Sequence, residues 1–167
     1  ASGRLSPTRA GHVAESLPDV PLILDGGPAR VGLESSIVAV ADGKAVLLRQ
    51  GGLAAETIAE VAGPLAVAAD DAPVSAPGML LRHYAPRLPL HMDVAEPPAG
   101  WWHIGFGAIA GDENLSATGD AAEAAANLFA ALHRAGDSGR TAIAVAPIPA
   151  DGLGAAINDR LRRAAEV

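Results

Sequence analysis

Apolar residues near the middle of the chain form two short strand-like runs, one at 37–40 and one at 46–48. Between them lies Asp42-Gly43, a pair that readily adopts the positive φ angles of a tight turn. The pattern therefore predicts a β-hairpin.

A two-residue turn would place Val38 opposite Leu47 and Ser36 opposite Arg49. Ser35 and Ser36 would then lie with Arg49 at the open end of the hairpin, bounded by Gly32 and by the pair Gly51-Gly52. Hydroxyls beside a guanidinium, between glycines that allow close backbone approach, suit an anionic ligand. For the hairpin alone, the simpler interpretation is a polar strand end with an exposed arginine.

The segment before the hairpin predicts a helix and a short strand. Ser6 and Pro7 read as the N-cap and first position of a helix, apolar residues at 10–17 have helical spacing, and Pro18 ends it. The free N–H groups of that start, with the Ser6 hydroxyl, would favour a phosphate or a carboxylate. The apolar run at 21–24 reads as a strand.

After the hairpin, residues 53–61 predict an amphipathic helix that ends at Gly63. Periodicity then fails, and prolines punctuate the chain up to residue 89, which predicts a linker over 65–88. Because this stretch includes Met79, Leu80, Leu81 and Tyr84, we expect it to lie across a surface.

The remaining chain alternates strand-like and helical segments, which predicts a small α/β unit with a parallel sheet. In the last helix, Ile157 and Leu161 are expected to face inward, with Asp159, Arg160, Arg162 and Arg163 mostly outward. Asn158, Asp159 and Arg160 read as surface and cap residues rather than catalytic ones. The predicted strands are 88–92, 101–106 and 142–146, and the predicted helices are 120–135, with Asp120 and Glu123 as a capping pair, and 153–165.

Composition narrows the class of protein. The chain has 167 residues, is 50% apolar and only 3% aromatic, and carries a net charge of −7, which argues against gripping a nucleic-acid backbone. It has no cysteine, which excludes disulfides, thiolate catalysis and cysteine-ligated metals. No apolar run has membrane-spanning length and no leader pattern opens the chain, so we expect a soluble, cytoplasmic protein. A start at Ala1 rather than Met indicates a fragment or a processed product.

Other candidate sites are weak. The five histidines show no metal-ligand spacing, so no metal site is predicted from them. Neither Gly105-Phe106-Gly107 nor Gly152-Leu153-Gly154 completes a dinucleotide-binding motif. No residue marks the tight nucleophile turn that a serine hydrolase requires.

Five segments of the chain carry a combined pattern: SGRLSPT at 2–8, ILDGGP at 23–28, GLESSIV at 32–38, LLRQGG at 47–52 and APGMLLRHYAP at 76–86. In this order they resemble one family, the two-domain L-threonylcarbamoyladenylate synthases of the YrdC-like group. The run AINDRLRRAA at 156–165 also resembles the end of that family's second domain.

The resemblance implies a fold and a reaction. It implies the C-terminal part of a YrdC-like α/β domain at 1–64, a linker or lid at 65–88, and a Rossmann-like parallel α/β domain at 89–167. ATP, L-threonine and bicarbonate would give threonylcarbamoyl-AMP and pyrophosphate, with Mg²⁺. Partner proteins would then transfer the threonylcarbamoyl group to tRNA, without direct nucleic-acid binding by this chain.

The resemblance also implies site residues. Ser35 matches a serine that binds L-threonine, while Ser6, Arg49 and Tyr84 match ATP contacts, with Tyr84 closing over the nucleotide. A closed lid would keep water from an adenylate that hydrolyses easily. Departures from the family pattern are Ser36 for Thr, Ala39 for Asp and Gln50 for Pro. The first two leave open whether Ser35 or Ser36 faces the substrate, and a two-residue turn would favour Ser36.

The family's Lys-x-Arg and Ser-x-Asn motifs are absent from these 167 residues. Because catalysis of this kind depends on positioning and charge stabilisation, we expect the chain alone to be inactive. The alternative hypothesis is a non-catalytic regulatory or tRNA-binding module of the same fold.

Overall fold

The computed structural model describes residues 3–69, 76 and 83–165 and shows a mixed α/β fold with two sheets. One sheet has three strands in the order β1-β2-β3, and the other has four strands in the order β4-β7-β5-β6. The elements are α1 (Ala10–Ser16), β1 (Ile37–Ala41), β2 (Lys44–Arg49), α2 (Ala55–Ala62), β3 (Leu65–Val67), β4 (Leu90–His91), β5 (Trp102–Gly105), β6 (Glu113–Asn114), α3 (Ala121–Gly136), β7 (Ile143–Val145) and α4 (Leu153–Ala165).

The predicted hairpin is confirmed, but its register changes near the open end. β1 and β2 pair antiparallel with Val38 opposite Leu47, and the turn residues Asp42 and Gly43 both have positive φ angles. A bulge between Ile37 and Val38 then places Arg49 opposite Ile37. The predicted pairing of Ser36 with Arg49 is therefore wrong, because one extra residue on β2 shifts the register.

The first sheet is completed by a strand that sequence patterning missed. α2 ends at Ala62, and its C-cap Gly63 has a φ of 75°. The next strand, β3, pairs parallel to β2. Residues 65–67 of the predicted linker therefore belong to the sheet. The rest of that predicted linker falls largely at 70–75 and 77–82, outside the described residues.

Two predictions for the first 30 residues are wrong. α1 begins at Ala10 rather than at Ser6, and Arg9 at its N-cap makes no side-chain cap. The Ser6 hydroxyl instead donates to the Glu34 carboxylate. Residues 21–24 form no strand, and Leu24 is 87% exposed, since no described strand lies beside this segment.

The second sheet is entirely parallel, as predicted, and α3 and α4 pack together beside it. Asp120 caps α3, because its Oδ1 accepts the Glu123 N–H at 2.7 Å. The two-residue strand β6 was not predicted. The core includes Leu90, Ile104, Leu115, Leu128, Phe129, Leu132, Ile143, Val145, Ile157 and Leu161, all buried.

The last helix, α4, contacts both the apolar core and the loops at the open end of the hairpin. Ile157 and Leu161 face the core as predicted. The prediction that Asp159 and Arg160 face outward is wrong, because they are only 8% and 0% exposed. The Arg160 side chain points toward the loops at the open end of the hairpin, so the two sheets share a polar junction. No helix among the described residues has the length and apolar character needed to cross a bilayer.

Candidate functional site

The loop that precedes β1 is held by close backbone contacts. A Cβ on Gly32 would lie 2.2 Å from the Ala125 carbonyl oxygen in α3, and one on Gly51 would lie 2.3 Å from the Glu34 carbonyl oxygen. The Gly52 N–H donates to that same Glu34 oxygen at 2.9 Å. Gly32 and Gly51 therefore allow other backbone segments of the protein to come close. The sequence had predicted that these glycines allow a ligand to come close.

A fully buried arginine from α4 joins this loop to the rest of the protein. Arg160 donates through Nε to Glu34 Oε2 at 2.8 Å, through Nη2 to the Gln50 carbonyl at 2.6 Å, and through Nη1 to Asp159 Oδ2 at 2.5 Å. Asp159 also binds Arg163 at 3.0 Å. The four charged groups sum to zero, as burial of charge requires.

Ser6 completes the hydrogen bonding of Glu34. Burial alone would raise the pKa of Glu34, but hydrogen bonds from Ser6 and Arg160, with the Arg160 charge, hold that pKa below its ordinary value. Glu34 is therefore a carboxylate. The backbone of Ser6 is held as well, because His133 Nε2 donates to its carbonyl at 3.2 Å.

Tyr84 is a buried wall of the same region. Its ring is 1% exposed and its centroid lies 5.1 Å from the Arg160 guanidinium carbon and 5.5 Å from the Phe129 ring. Burial raises the pKa of the Tyr84 phenol despite the Arg160 charge. The His83 ring packs edge-on at 4.0 Å, and burial lowers its pKa, so both rings are neutral near pH 7.

The two serines at the hairpin end have different partners. Arg49 Nη2 donates to the Ser35 carbonyl at 2.8 Å and to its hydroxyl at 3.3 Å. The Ser36 hydroxyl instead donates to the Leu53 carbonyl at 2.7 Å and accepts the Leu53 N–H at 3.3 Å. Ser36 therefore fixes the entry to α2, whereas Ser35 lies with the guanidinium.

The structure places all four residues that the sequence predicted as ligand contacts in one region. Ser6 binds Glu34, and Tyr84 packs against Arg160, the partner of Glu34. Ser35 directly follows Glu34 along the chain and binds Arg49. The charge of Arg49 acts on the pKa of Tyr84, so these groups also interact electrostatically.

Sequence reasoning missed the centre of this region. Glu34 lies inside the motif GLESS, but the sequence predicts no role for it. For Arg160 the sequence predicts a surface position. A signal was available for Arg160, because it follows Ile157 by three residues and shares the apolar face of α4 with Leu161. A charged residue on an apolar face indicates a buried partner.

The donor set does not form a metal site. Within residues 3–69, 76 and 83–165, no three histidine, aspartate or glutamate side chains converge as ligands. The Mg²⁺ that the sequence resemblance implies would have to be held largely by nucleotide phosphates, as is common for this ion.

Two sheets joined by a buried, charge-neutral cluster beside an arginine–serine pair define a mixed α/β protein in which the predicted ligand contacts lie in one region. The chain belongs to the family described as threonylcarbamoyl-AMP synthase, C-terminal domain, whose sequence pattern matches residues 53–166. The resemblance seen in the sequence motifs is thereby confirmed.

Individual relatives agree. The threonylcarbamoyl-AMP synthase of Pyrococcus abyssi is 35% identical over an alignment of 188 residues. The alignment covers 98% of this chain and 55% of that protein. The Bacillus subtilis protein of the same name is 43% identical over 102 residues, which cover 58% of this chain and 29% of that protein. The chain thus spans about half the length, or less, of the curated relatives it matches.

Solved structures give the same result. The crystal structure of P. abyssi Sua5 complexed with L-threonine matches with a TM-score of 0.82 and 34% identity, over 98% of this chain and 55% of that one. A P. abyssi Sua5 variant in which a histidine and the adjacent tyrosine are replaced by alanine matches over 98% of this chain and 54% of that one, with a TM-score of 0.79 and 32% identity. The mixed α/β fold is therefore that of Sua5.

Proposed function

We propose that this chain forms part of an ATP-dependent synthase that makes L-threonylcarbamoyl-AMP from L-threonine, bicarbonate and ATP. The product would pass to partner proteins that modify tRNA. The observation that carries the proposal is the convergence of Ser35, Arg49, Ser6 and Tyr84 around the Glu34–Arg160 pair. The likeness to a Sua5 complexed with L-threonine supports the same substrate here.

Each predicted contact acquires a more specific role in this proposal. Ser35 binds L-threonine, since its hydroxyl lies beside Arg49 while that of Ser36 is engaged by Leu53. Arg49 binds ATP, because a guanidinium pairs well with phosphate oxygens.

Ser6 and Tyr84 complete the ATP contacts. Ser6 already donates its proton to Glu34, so toward ATP it would accept a hydrogen bond from a ribose hydroxyl or the adenine amino group. Tyr84 would form an apolar wall that keeps water out.

The proposed domain organisation is the one implied by the sequence. Residues 1–64 would form the C-terminal part of a YrdC-like domain, 65–88 a linker whose strand β3 joins the first sheet, and 89–167 a Rossmann-like domain. In the described residues, the large apolar side chains that are most exposed all lie between residues 17 and 67. This surface supports the proposal that the 167 residues need further polypeptide for activity.

The first test of this proposal uses pyrophosphate release. The 167-residue chain alone should release no pyrophosphate in the presence of ATP, L-threonine and bicarbonate, because half of the family's phosphate donors are absent. The naturally produced protein should release it only when all three are present. Release by the 167-residue chain would contradict the inactivity, and no release by the natural protein would contradict the synthase function.

A binding measurement separates the synthase from an RNA-binding module. In the natural protein, Arg49→Met should weaken ATP binding in calorimetry by at least about tenfold, since it removes a charged phosphate contact. Arg30→Met, at an exposed arginine, is the matched control and should bind like the wild type. Tight tRNA binding with a steep salt dependence, without ATP binding, would favour the RNA-binding alternative.

A further inference from the structure

We propose that Arg160 is a positioning residue, through which the last helix sets the geometry of the loops that carry the ligand contacts. The part of this inference that concerns turnover rests on the proposed function. The part that concerns loop geometry stands on the structure alone.

The rigid guanidinium of Arg160 binds two loops and one residue of its own helix. Its guanidinium, 0% exposed, reaches Glu34 before β1, Gln50 after β2 and Asp159 on its own helix. A guanidinium presents these donors from three nitrogens in one plane at fixed angles, whereas a lysine ammonium presents its three donors from a single nitrogen on a flexible stem. Any movement of one segment therefore breaks the geometry toward the other two.

The segments that Arg160 holds lie on both sides of the proposed site. Glu34 directly precedes Ser35, and Gln50 directly follows Arg49. The Ser35–Arg49 contact, with distances of 2.8 to 3.3 Å, therefore lies between the Glu34 side chain and the Gln50 carbonyl, both of which accept hydrogen bonds from Arg160. Without Arg160, Ser35 and Arg49 would keep their mutual hydrogen bonds but lose the link between the loops on either side of them.

The arginine itself is held in place. Asp159 bridges Arg160 and Arg163, and the Tyr84 ring covers the guanidinium at 5.1 Å. These contacts on several sides restrict the positions that the guanidinium can take. This rigidity distinguishes a positioning group from a flexible surface ion pair.

The first test measures amide hydrogen exchange in the 167-residue chain. Arg160→Met should speed exchange at the Gly52 amide, which donates to the Glu34 carbonyl, by at least about tenfold, while amides of α3 around Leu128 keep their protection. Arg162→Met, two residues away and exposed, is the matched control and should leave Gly52 unchanged. Unchanged exchange at Gly52 in Arg160→Met would overturn the proposal.

The second test measures turnover by the naturally produced protein. Arg160→Met should lower kcat at saturating ATP and L-threonine by at least about tenfold with intact α3 protection, and Arg160→Lys should rescue only part of that loss because it lacks the fork. Faster Gly52 exchange with unchanged kcat and KM would overturn the role in positioning and leave Arg160 purely structural. Absence of turnover in the wild type would overturn the proposed function, while the exchange test would still decide the loop geometry. If Arg160→Met fails to fold, Arg160→Lys decides both tests.

Discussion

Gly51 lies where no other residue fits. Its φ is not in the left-handed region, but a Cβ there would meet both the Glu34 carbonyl oxygen and the Ser36 nitrogen at 2.3 Å. We expect Gly51→Ala to lower the free energy of unfolding by about 1–3 kcal/mol, because backbone atoms cannot move aside cheaply. Urea denaturation would measure this change.

Gly26→Ala is the matched control for that substitution. A Cβ on Gly26 meets nothing within 4 Å and its φ is not positive, so its effect should stay within about 0.5 kcal/mol. Equal stability of the Gly51→Ala and wild-type proteins would show that the loop before β1 can shift away, contrary to the close contact with Glu34.

Among elements, α3 should be sensitive to the residue at its N-cap, Asp120. Asp120 accepts the Glu123 N–H at 2.7 Å and satisfies a donor that the helix itself cannot. Asp120→Ala should destabilise the protein by about 1 kcal/mol in urea denaturation. Asp19→Ala, at an exposed position outside any helix, should have no measurable effect, and a loss of equal size there would argue against capping as the cause.

The elements that the sequence predicted well are those fixed by local chemistry. The hairpin turn at Asp42-Gly43 and the cap of α3 depend on residues only a few positions apart, so their pattern is visible in the sequence. The bulge at Ile37 was not predictable, because it depends on how distant loops pack. The partner of Arg160 was not predictable for the same reason, since Glu34 is 126 residues away.

The proposed site was predictable in part. The sequence motifs point to Ser35, Arg49, Ser6 and Tyr84 as ligand contacts, and the structure places these four residues in one region. The motifs carried no information on the group that connects them. The predicted helix start at Ser6 was wrong. The Ser6 hydroxyl binds Glu34, which is distant in the sequence, and does not cap a helix.

For the whole molecule, we expect stability to fall in mild acid. Burial lowers the pKa of His83, and burial with the neighbouring His133 lowers that of His12, from ordinary values near 6.5. Below that pH, His12 and His83 bind protons more readily in the unfolded chain than in the folded one. The free energy of unfolding is therefore at its full value above pH 6.5 and declines as the pH falls. The lowered pKa of Glu34 adds a further loss below its ordinary value of 4.5.

Urea midpoints between pH 7.5 and 5.5 would measure this dependence. The midpoint should fall across that range, and His12→Gln should flatten the slope because the ring stacked 3.7 Å from His133 no longer titrates. His91→Gln removes an exposed histidine and controls for the loss of one ring. Equal midpoints at the two pH values in the wild type would contradict the expectation.

The long separation between Glu34 and Arg160 also has a consequence for biosynthesis. A ribosome adds about 5–20 residues per second, so the 126 residues between them take on the order of 10 s to synthesise. During that interval the nascent loop before β1 carries a carboxylate whose counter-charge has not yet been made. The loop before β1 is translated before α4 but reaches its final arrangement only after α4 has been made.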